Sequence, residues 1–274
     1  MRVGHLGPAG TYSEEAALRR PGAEPVAFPT LPDTIAAVAG GDVEVAAVPI
    51  ENSLEGSVGI SLDVLAVRED VTITGELTLP IRVHLIARGA VDPSTVTEVV
   101  SHPQPLAQCA DYLRRRLPQA RTVPASSTAE AVRQVMEAGP GRAALGPRRA
   151  AELYSATIVE EDVADDAANA TRFVWVSRAG SEPPRVDVPM RTSLAFWGHG
   201  DNKPGWLVRC LSEFAFRGVN LTKIESRPMR GRLGHYLFHV DMEGRADASS
   251  VADAVCALHA HCDEVHVLGT YPAA

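Results

Sequence analysis

The chain has 274 residues, enough for one large or two medium domains with sizeable cores. Its 26 Lys and Arg against 34 Asp and Glu leave a net charge of −8 with no long run of either sign, which argues against a nucleic-acid surface and fits a soluble protein. No apolar run approaches the length of a membrane span, no charged and apolar leader precedes Met1-Arg-Val, and the four cysteines form no CxxC pair. Reduced thiols and a cytoplasmic location are therefore expected, with no membrane or nucleic-acid partner.

In chain order, strands are expected near 2–6, 25–28, 43–48, 72–79, 81–87, 96–100, 121–123, 142–145, 157–160 and 173–177. Helices are expected near 12–20, 31–39, 57–69, 104–116, 127–137 and 147–153. This alternation predicts parallel sheets with helices on both faces. Two strands meet almost without a break around Leu79-Pro80, a proline that suits a chain passing between lobes. One lobe is expected from about 1–78 plus 160–178, the other from about 80–158. Residues 179–189, with three prolines and no periodicity, read as a linker. Beyond it the order is strand (192–197), helix (204–217), strands (221–227 and 235–243), helix (248–260) and strand (264–270), the ferredoxin-like split βαβ order.

Several segments carry groups suited to chemistry. Pro49-Ile-Glu51-Asn52-Ser53 follows an apolar run, and in an open α/β sheet ligands bind beyond the carboxyl ends of strands. Alone, it is better read as a strand-to-helix turn; its context reverses that. The start, Gly7-Pro-Ala-Gly-Thr11-Tyr12-Ser13-Glu14, is a glycine-rich turn with capping-box spacing, opening a helix whose free N–H groups attract a carboxylate. It lacks the opening of a dinucleotide fingerprint. Thr171-Arg172-Phe173 offers a hydroxyl able to hand a proton to a leaving hydroxyl in a dry site, beside a guanidinium able to grip a carboxylate. Ser101-His-Pro-Gln104 opens a helix that Ser101 would cap, with Gln108 further along, and His102 reads as a partly exposed loop residue. Asn169-Ala-Thr171 also matches a glycosylation sequon, read as coincidence. His259, His261, Cys262 and their acidic neighbours lack converging metal-ligand spacing, so no metal is expected. Lys223, Glu225 and Arg227 read as charges keeping an edge strand soluble.

Taken together and in this order, the motifs Gly7-Pro-Ala-Gly-Thr-Tyr-Ser13, Pro49-Ile-Glu-Asn-Ser53, Ser101-His-Pro-Gln104 with Gln108, and Asn169-Ala-Thr-Arg-Phe173 resemble the prephenate dehydratase family. The C-terminal part resembles an ACT regulatory domain through Gly205-Trp-Leu207 and Glu225-Ser-Arg-Pro228. The resemblance implies an α/β catalytic domain over 1–180 like a two-lobed type II periplasmic binding protein, plus a ferredoxin-like βαββαβ ACT domain over 190–274. It implies conversion of prephenate to phenylpyruvate, water and carbon dioxide, with L-phenylalanine as allosteric ligand at a subunit interface of a homodimer or homotetramer. A substrate already primed to become aromatic requires no cofactor.

By resemblance Thr171 assists the leaving hydroxyl, while Glu51, Asn52, Ser53, Ser101 and Gln108 line the cleft. Thr11, Tyr12, Ser13, Arg172 and Phe173 are the expected substrate contacts, although Arg172 has bracing the lobes as its alternative. Gly205, Trp206, Leu207, Asn220, Leu221, Glu225 and Ser226 are the expected phenylalanine contacts. Two departures stand out. Many members have Gly-Ala-Leu where this chain has Gly205-Trp206-Leu207, so either the ring points away or ligand preference differs. Ala125-Ser126 is uncharged where some members carry a carboxylate. Arogenate dehydratase, and a non-catalytic amino-acid sensor, are the competing readings.

Overall fold

Apolar runs and helical patterns resolve into three sheets in the computed structural model, which describes residues 1–183, 186–198, 200, 203–229 and 233–274. In chain order the first elements are β1 (Arg2–Leu6), α1 (Tyr12–Leu18), β2 (Glu24–Phe28), α2 (Leu31–Gly40), β3 (Val45–Asn52), β4 (Gly56–Ser57), α3 (Gly59–Ala66) and β5 (Val71–Pro80). The chain then crosses to β6 (His84–Ala87), β7 (Glu98–Ser101), α4 (Pro103–Gln108), α5 (Ala110–Arg116), β8 (Arg121–Pro124), α6 (Thr128–Glu137), β9 (Arg142–Gly146), α7 (Arg148–Leu153) and β10 (Thr157–Glu160). It returns through 161–169 to β11 (Ala170–Arg178). Last come β12 (Met190–Trp197), α8 (Trp206–Ala215), β13 (Leu221–Pro228), β14 (Tyr236–Glu243), α9 (Ser249–Leu258) and β15 (Glu264–Pro272).

The first sheet has the order β2-β1-β3-β11-β5 with β4 beside β3, the second β10-β6-β9-β7-β8, and the third β13-β14-β12-β15. The first two are mixed rather than parallel, because the returning strand β11 runs antiparallel to both β3 and β5, and β6 antiparallel to β9 and β10. A strand re-entering a sheet after an excursion elsewhere need not obey the βαβ crossover that makes neighbours parallel. The third sheet is antiparallel, with α8 and α9 on one face in the split βαβ arrangement.

Local chemistry sets the element boundaries. Thr11, Thr30 and Ser127 each accept a bond from the backbone three residues on and so cap α1, α2 and α6. The expected helix over 104–116 breaks at Cys109, and the Asp165 carboxylate restarts it by accepting from the Asp111 and Tyr112 amides at 2.9 and 3.0 Å. Strand β3 runs four residues beyond the expected end, through Pro49 to Asn52. Residues 184 and 185 of the expected linker lie outside the described residues.

Apolar packing fuses the sheets pairwise. One core cluster joins Val3, Val45, Leu79 and Phe173 of the first sheet to Leu85, Val99 and Leu145 of the second. Another, on the opposite face of the first sheet, joins Ile35, Val48, Leu62 and Ile73 to Leu237, Leu268 and Tyr271 of the third. The first sheet is thus covered on both faces, by helices and by the two other sheets. All four cysteines are free, with Cys256 the exposed one. Among the described residues no helix is long and apolar enough to cross a membrane.

Candidate active site

A cavity of about 410 Å³ lies between the first and second sheets, where the carboxyl ends of β1, β3, β7 and β8 converge. The first sheet and its helices contribute Thr11, Tyr12, Ser13, Pro49, Asn52, Glu55, Ser57, Thr171 and Phe173. The second contributes His102, Gln104, Gln108, Ser126, Ser127 and Thr128, and the two connecting segments add Ile81 and Asn169.

At its centre the directions of the hydrogen bonds are fixed by what the backbone can offer. Asn52 Oδ1 accepts from the amides of Leu54 and Glu55, both at 3.0 Å. Backbone N–H groups only donate, so the side-chain oxygen must face them and the NH₂ must point the other way. That NH₂ donates to Asn169 Oδ1 at 2.9 Å, to the Ala170 carbonyl at 3.2 Å and to Thr171 Oγ1 at 2.9 Å. Thr171 Oγ1 therefore accepts from Asn52, and its own hydrogen is left to point into the cavity that it lines. Asn169, only 2% exposed, donates in turn through Nδ2 to Gln108 Oε1 at 3.0 Å. A chain of neutral amides, Gln108–Asn169–Asn52, thus runs from the second sheet's α4 to the Thr171 hydroxyl.

The remaining lining supplies hydrogen-bond donors rather than cations. No Lys or Arg is among the described residues lining the cavity. The N-terminus of α6 faces it through Ser126, Ser127 and Thr128, and Thr11 and Ser13 open α1. Free helix N–H groups and hydroxyls suit an anionic ligand. Burial holds the Tyr12 phenol far above its ordinary range, so it is neutral, and its hydroxyl donates to the Arg82 carbonyl at 2.9 Å. Behind α1, Glu14 accepts from the Gly10 amide at 2.7 Å and pairs with Arg149 of α7 at 3.0 Å, tying the two sheets' helices together. Burial opposes the Glu14 charge, yet Arg149 and the Gly10 amide outweigh it and hold its pKa below the usual carboxylate value.

Comparison with known proteins agrees with this geometry. The family model for prephenate dehydratase matches residues 3–181. The chain belongs to the prephenate dehydratase family. A prephenate dehydratase of Mycobacterium tuberculosis (strain ATCC 25618 / H37Rv) is 38% identical over 283 residues, covering 99% of this chain and 87% of the relative. The crystal structure of a prephenate dehydratase from Arthrobacter aurescens in complex with L-Phe superposes with a TM-score of 0.91 at 35% identity, covering 100% of this chain and 90% of that one. A structure described as GqqA, a novel type of quorum quenching acylase, superposes with a TM-score of 0.90 at 30% identity, covering 100% and 98%.

In this member of the prephenate dehydratase family, the expected residues divide by the face they occupy. Thr171, Asn52, Gln108, Thr11, Tyr12, Ser13 and Phe173 line the cavity. Glu51 and Arg172 do not: each precedes or follows a cavity residue on an extended strand, and alternation sends it to the opposite face. Glu51 pairs there with Lys223 at 2.9 Å. Arg172, expected at the substrate or between the lobes, instead binds Glu76, Asp241 and Tyr271 between the first and third sheets. Ser101 is fully buried and donates to the Leu145 carbonyl at 2.7 Å, bracing β7 against β9; the α4 cap is His102, whose Nδ1 accepts from the Gln104 amide at 3.3 Å. Ser53 is exposed and outside the lining, its hydroxyl oxygen accepting from the Ala170 amide at 3.0 Å. Asn169, the first residue of the sequon, is a buried hub of this network. His102, Gln104, Glu55, Ser57 and Asn169 line the cavity without having been singled out as site residues; the position of Asn169, two before Thr171, was the available signal.

The residues expected at the phenylalanine site fall in different settings within the C-terminal sheet and its helices. Trp206 is 3% exposed; its ring packs against Phe196 and Phe238, with centroids 6.0 and 5.7 Å away, and Nε1 donates to the His261 carbonyl at 2.7 Å. The ring fills the core and does not wall a surface pocket. Gly205, with φ of 77°, supplies the left-handed turn that starts α8, and Leu207 packs on the same core. Asn220 and Ser226 are exposed and Leu221 half-buried. Glu225 accepts from the Ser57 hydroxyl at 2.9 Å. Lys223 and Arg227 likewise face the first sheet, pairing with Glu51 and Asp63, so these charges bind an interface instead of guarding an edge. His261 lies 2.9 Å from Glu213.

Proposed function

We propose that this chain catalyses the decarboxylating dehydration of prephenate to phenylpyruvate, with Thr171 as the group that assists the departing hydroxyl. The observation that carries the assignment is the direction of the Thr171 hydrogen bond: Asn52 Nδ2 donates to it at 2.9 Å, and its own hydrogen is free for the cavity. In the reaction the bond between the ring and its carboxylate breaks and releases carbon dioxide. That electron pair enters the ring, the carbon–oxygen bond to the ring hydroxyl breaks, and the hydroxyl leaves as water after taking a proton through Thr171. Solvent restores the threonine proton. The driving force is aromatisation, so the protein's task is to orient, exclude water and stabilise the leaving oxygen.

The α6 N-terminus with Ser126, Ser127 and Thr128, and the Ser13 hydroxyl, are the contacts for the two substrate carboxylates, while the Thr11 hydroxyl, which donates to the Pro8 carbonyl at 3.0 Å, holds the turn before α1 in place beside them. Gln108 and Phe173 set the ring plane. Residues 1–180 form the catalytic domain, with lobes at about 1–78 plus 160–178 and 80–158 connected twice, as in type II periplasmic binding proteins. Residues 190–274 form an ACT domain that binds L-phenylalanine between subunits of a homodimer or homotetramer. The L-Phe complex of the Arthrobacter aurescens relative supports that ligand, and a site between subunits accommodates residues whose side chains do not converge within one chain.

The test is direct. Purified protein given prephenate at neutral pH is expected to form phenylpyruvate, and phenylalanine to change the rate; no phenylpyruvate would overturn the assignment. Arogenate is the second substrate to assay, because Glu55, the carboxylate in the lining, offers a partner to an ammonium group; a preference for arogenate would move the assignment to arogenate dehydratase. Acyl-amide substrates, the class suggested by the GqqA likeness, complete the panel.

A further inference from the structure

The two strands that carry Asn52 and Thr171 have a second face, and it is occupied by the C-terminal sheet. Arg172 projects from that face, 12% exposed, and each of its three guanidinium nitrogens has a partner: Nε donates to Glu76 at 2.7 Å, Nη1 to Asp241 at 2.6 Å and Nη2 to the Tyr271 hydroxyl at 3.0 Å. Asp241 is itself held by Ser193, whose hydroxyl donates to its other oxygen at 2.5 Å, and Ser193 also meets Tyr271 at 2.6 Å. Glu76 has a second partner in Arg191 at 2.7 Å. The charges balance, and the carboxylates of Glu76 and Asp241 are almost wholly buried.

Next to this network the backbone has a fault in its ladder. Arg172 pairs with Glu51, but Phe173 pairs with Pro49, so Ile50 is skipped. Proline has no N–H to donate, and a bulge is how a strand accommodates it. The segment 170–172 therefore lies beyond a break in its pairing with β3. On its other edge β5 pairs it without a break, Thr171 with Leu79 and Arg172 with Thr78, and its side chains add an anchor on each face, Thr171 to Asn52 on the cavity side and Arg172 on the other. Bulges beside active sites re-aim side chains.

We propose that Arg172 is a positioning residue, and that its bonds to Glu76, Asp241 and Tyr271 make the aim of the Thr171 hydroxyl depend on how the C-terminal sheet is docked. The proposal rests on the reading of Thr171 given above. Arg172 touches no substrate; it acts through the strand it shares with its neighbour. A shift of the third sheet that moves Asp241 pulls the guanidinium and, through it, the edge of the first sheet where β11 is paired with β5 and with the end of β3. The Thr171 oxygen then leaves its place against Asn52.

Asp241 and Tyr271 test this from the far side of the interface, because neither lines the cavity. Asp241→Asn is expected to lower kcat for prephenate about tenfold, with KM changed less than about twofold, since misaim spares binding and a small displacement is costly. Tyr271→Phe, which removes one oxygen, is expected to lower kcat about threefold. Arg172→Lys, which keeps the charge but loses the forked geometry, is expected to retain more kcat than Arg172→Met. Unchanged kcat in Tyr271→Phe or in a folded Asp241→Asn, or a rise in KM with kcat preserved, overturns the proposal. Should Asp241→Asn melt below the assay temperature, Tyr271→Phe decides alone. Thr171→Val is assayed in parallel: if it keeps full turnover, the threonine reading fails and takes this proposal with it. Loss in Thr171→Val with full kcat in Tyr271→Phe removes only the positioning role.

Discussion

Replacing Thr171 with valine keeps the shape of the side chain and deletes one oxygen. The stability consequence follows from the partners of that oxygen. It accepts one bond, from Asn52 Nδ2 at 2.9 Å, and the same NH₂ also donates to Asn169 Oδ1 and to the Ala170 carbonyl. Asn52 is not orphaned by the substitution, so the cost to folding is about 1 kcal/mol, the net value of one neutral hydrogen bond. The catalytic consequence is larger. Loss of a positioned proton donor lowers rates by roughly 10²- to 10⁴-fold, which corresponds to about 3 to 5 kcal/mol of barrier. Thr171→Val is therefore expected to cut kcat for prephenate at least about 100-fold while KM stays within about threefold. Phenylpyruvate formation and the urea midpoint, measured on one preparation, separate the two quantities. Turnover within about threefold of the unmodified protein, at an unchanged midpoint, would refute the reasoning. So would a loss of rate that tracks the unfolded fraction.

Three further outcomes follow from individual contacts. Asn52→Asp is nearly isosteric but replaces the NH₂ by an acceptor, so Thr171 turns its proton toward the new carboxylate; kcat is expected to fall at least about 100-fold with the fold intact, and a near-normal rate would show that bond direction does not matter. His239, 4% exposed with both ring nitrogens unpartnered, lies between β14 and the first sheet, and burial lowers its pKa from 6.5 to about 4 despite Asp241 and Asp63, with Lys223 and Arg227 adding to the fall. Between those two values the unfolded chain binds a proton that the folded chain does not, so stability falls as pH drops from 6.5 to 4, by about 3 kcal/mol for this group. In His239→Leu that loss is expected to shrink, and urea midpoints at pH 7 and pH 4.5 that change equally in both proteins would refute it. Trp206→Ala removes a ring packed on Phe196 and Phe238 and is expected to cost about 3 to 5 kcal/mol, read as a lowered melting temperature; a change in phenylalanine response at unchanged stability would instead place the ring at a ligand surface.

What the sequence conveyed well was the order and type of the elements, although the helix over 104–116 breaks at Cys109 and His102 takes the cap expected of Ser101. Thr11 announces its helix by type and by its spacing to Glu14, and nearly every strand shows as an apolar run. The motifs also brought Asn52, Gln108 and Thr171 together although they come from three separate elements. The misplacement of Glu51 has one cause: the apolar run stops at Val48 and Pro49 looks like a terminator. Read that way, residues 51–53 become a loop whose side chains can all point inward. The strand in fact continues to Asn52 because β11 pairs with it from the other side, and a strand can use only alternate residues on one face. Arg172 fell with Glu51 for the same reason. The charges of β13 misled differently. A row of Lys223, Glu225 and Arg227 at every second position looks identical whether it faces water or a polar interface, and its partners Glu51, Ser57 and Asp63 are far away in sequence. Period two identifies a face; it does not say what covers it.

The first sheet thereby separates two kinds of electrostatics that would interfere if mixed. On its cavity face the central groups are neutral, and their bond directions are set by backbone amides that cannot reverse. On its other face lie Glu51, Glu76, Arg172 and, from the third sheet, Asp241 and Lys223, paired and largely removed from water. A substrate with two carboxylates and a leaving hydroxide would be repelled by carboxylates placed beside the ring. Preoriented neutral donors stabilise the same developing charge without having to reorganise. Yet the faces share a backbone, and residues 51–52 and 171–172 each give one side chain to either side. On the proposal made above for Arg172, a small displacement on the charged face is carried to the hydroxyl through that backbone. If Tyr271→Phe and Asp241→Asn lower kcat as proposed, a ligand that shifts the third sheet would alter the rate through strand geometry while the substrate pocket keeps its own chemistry.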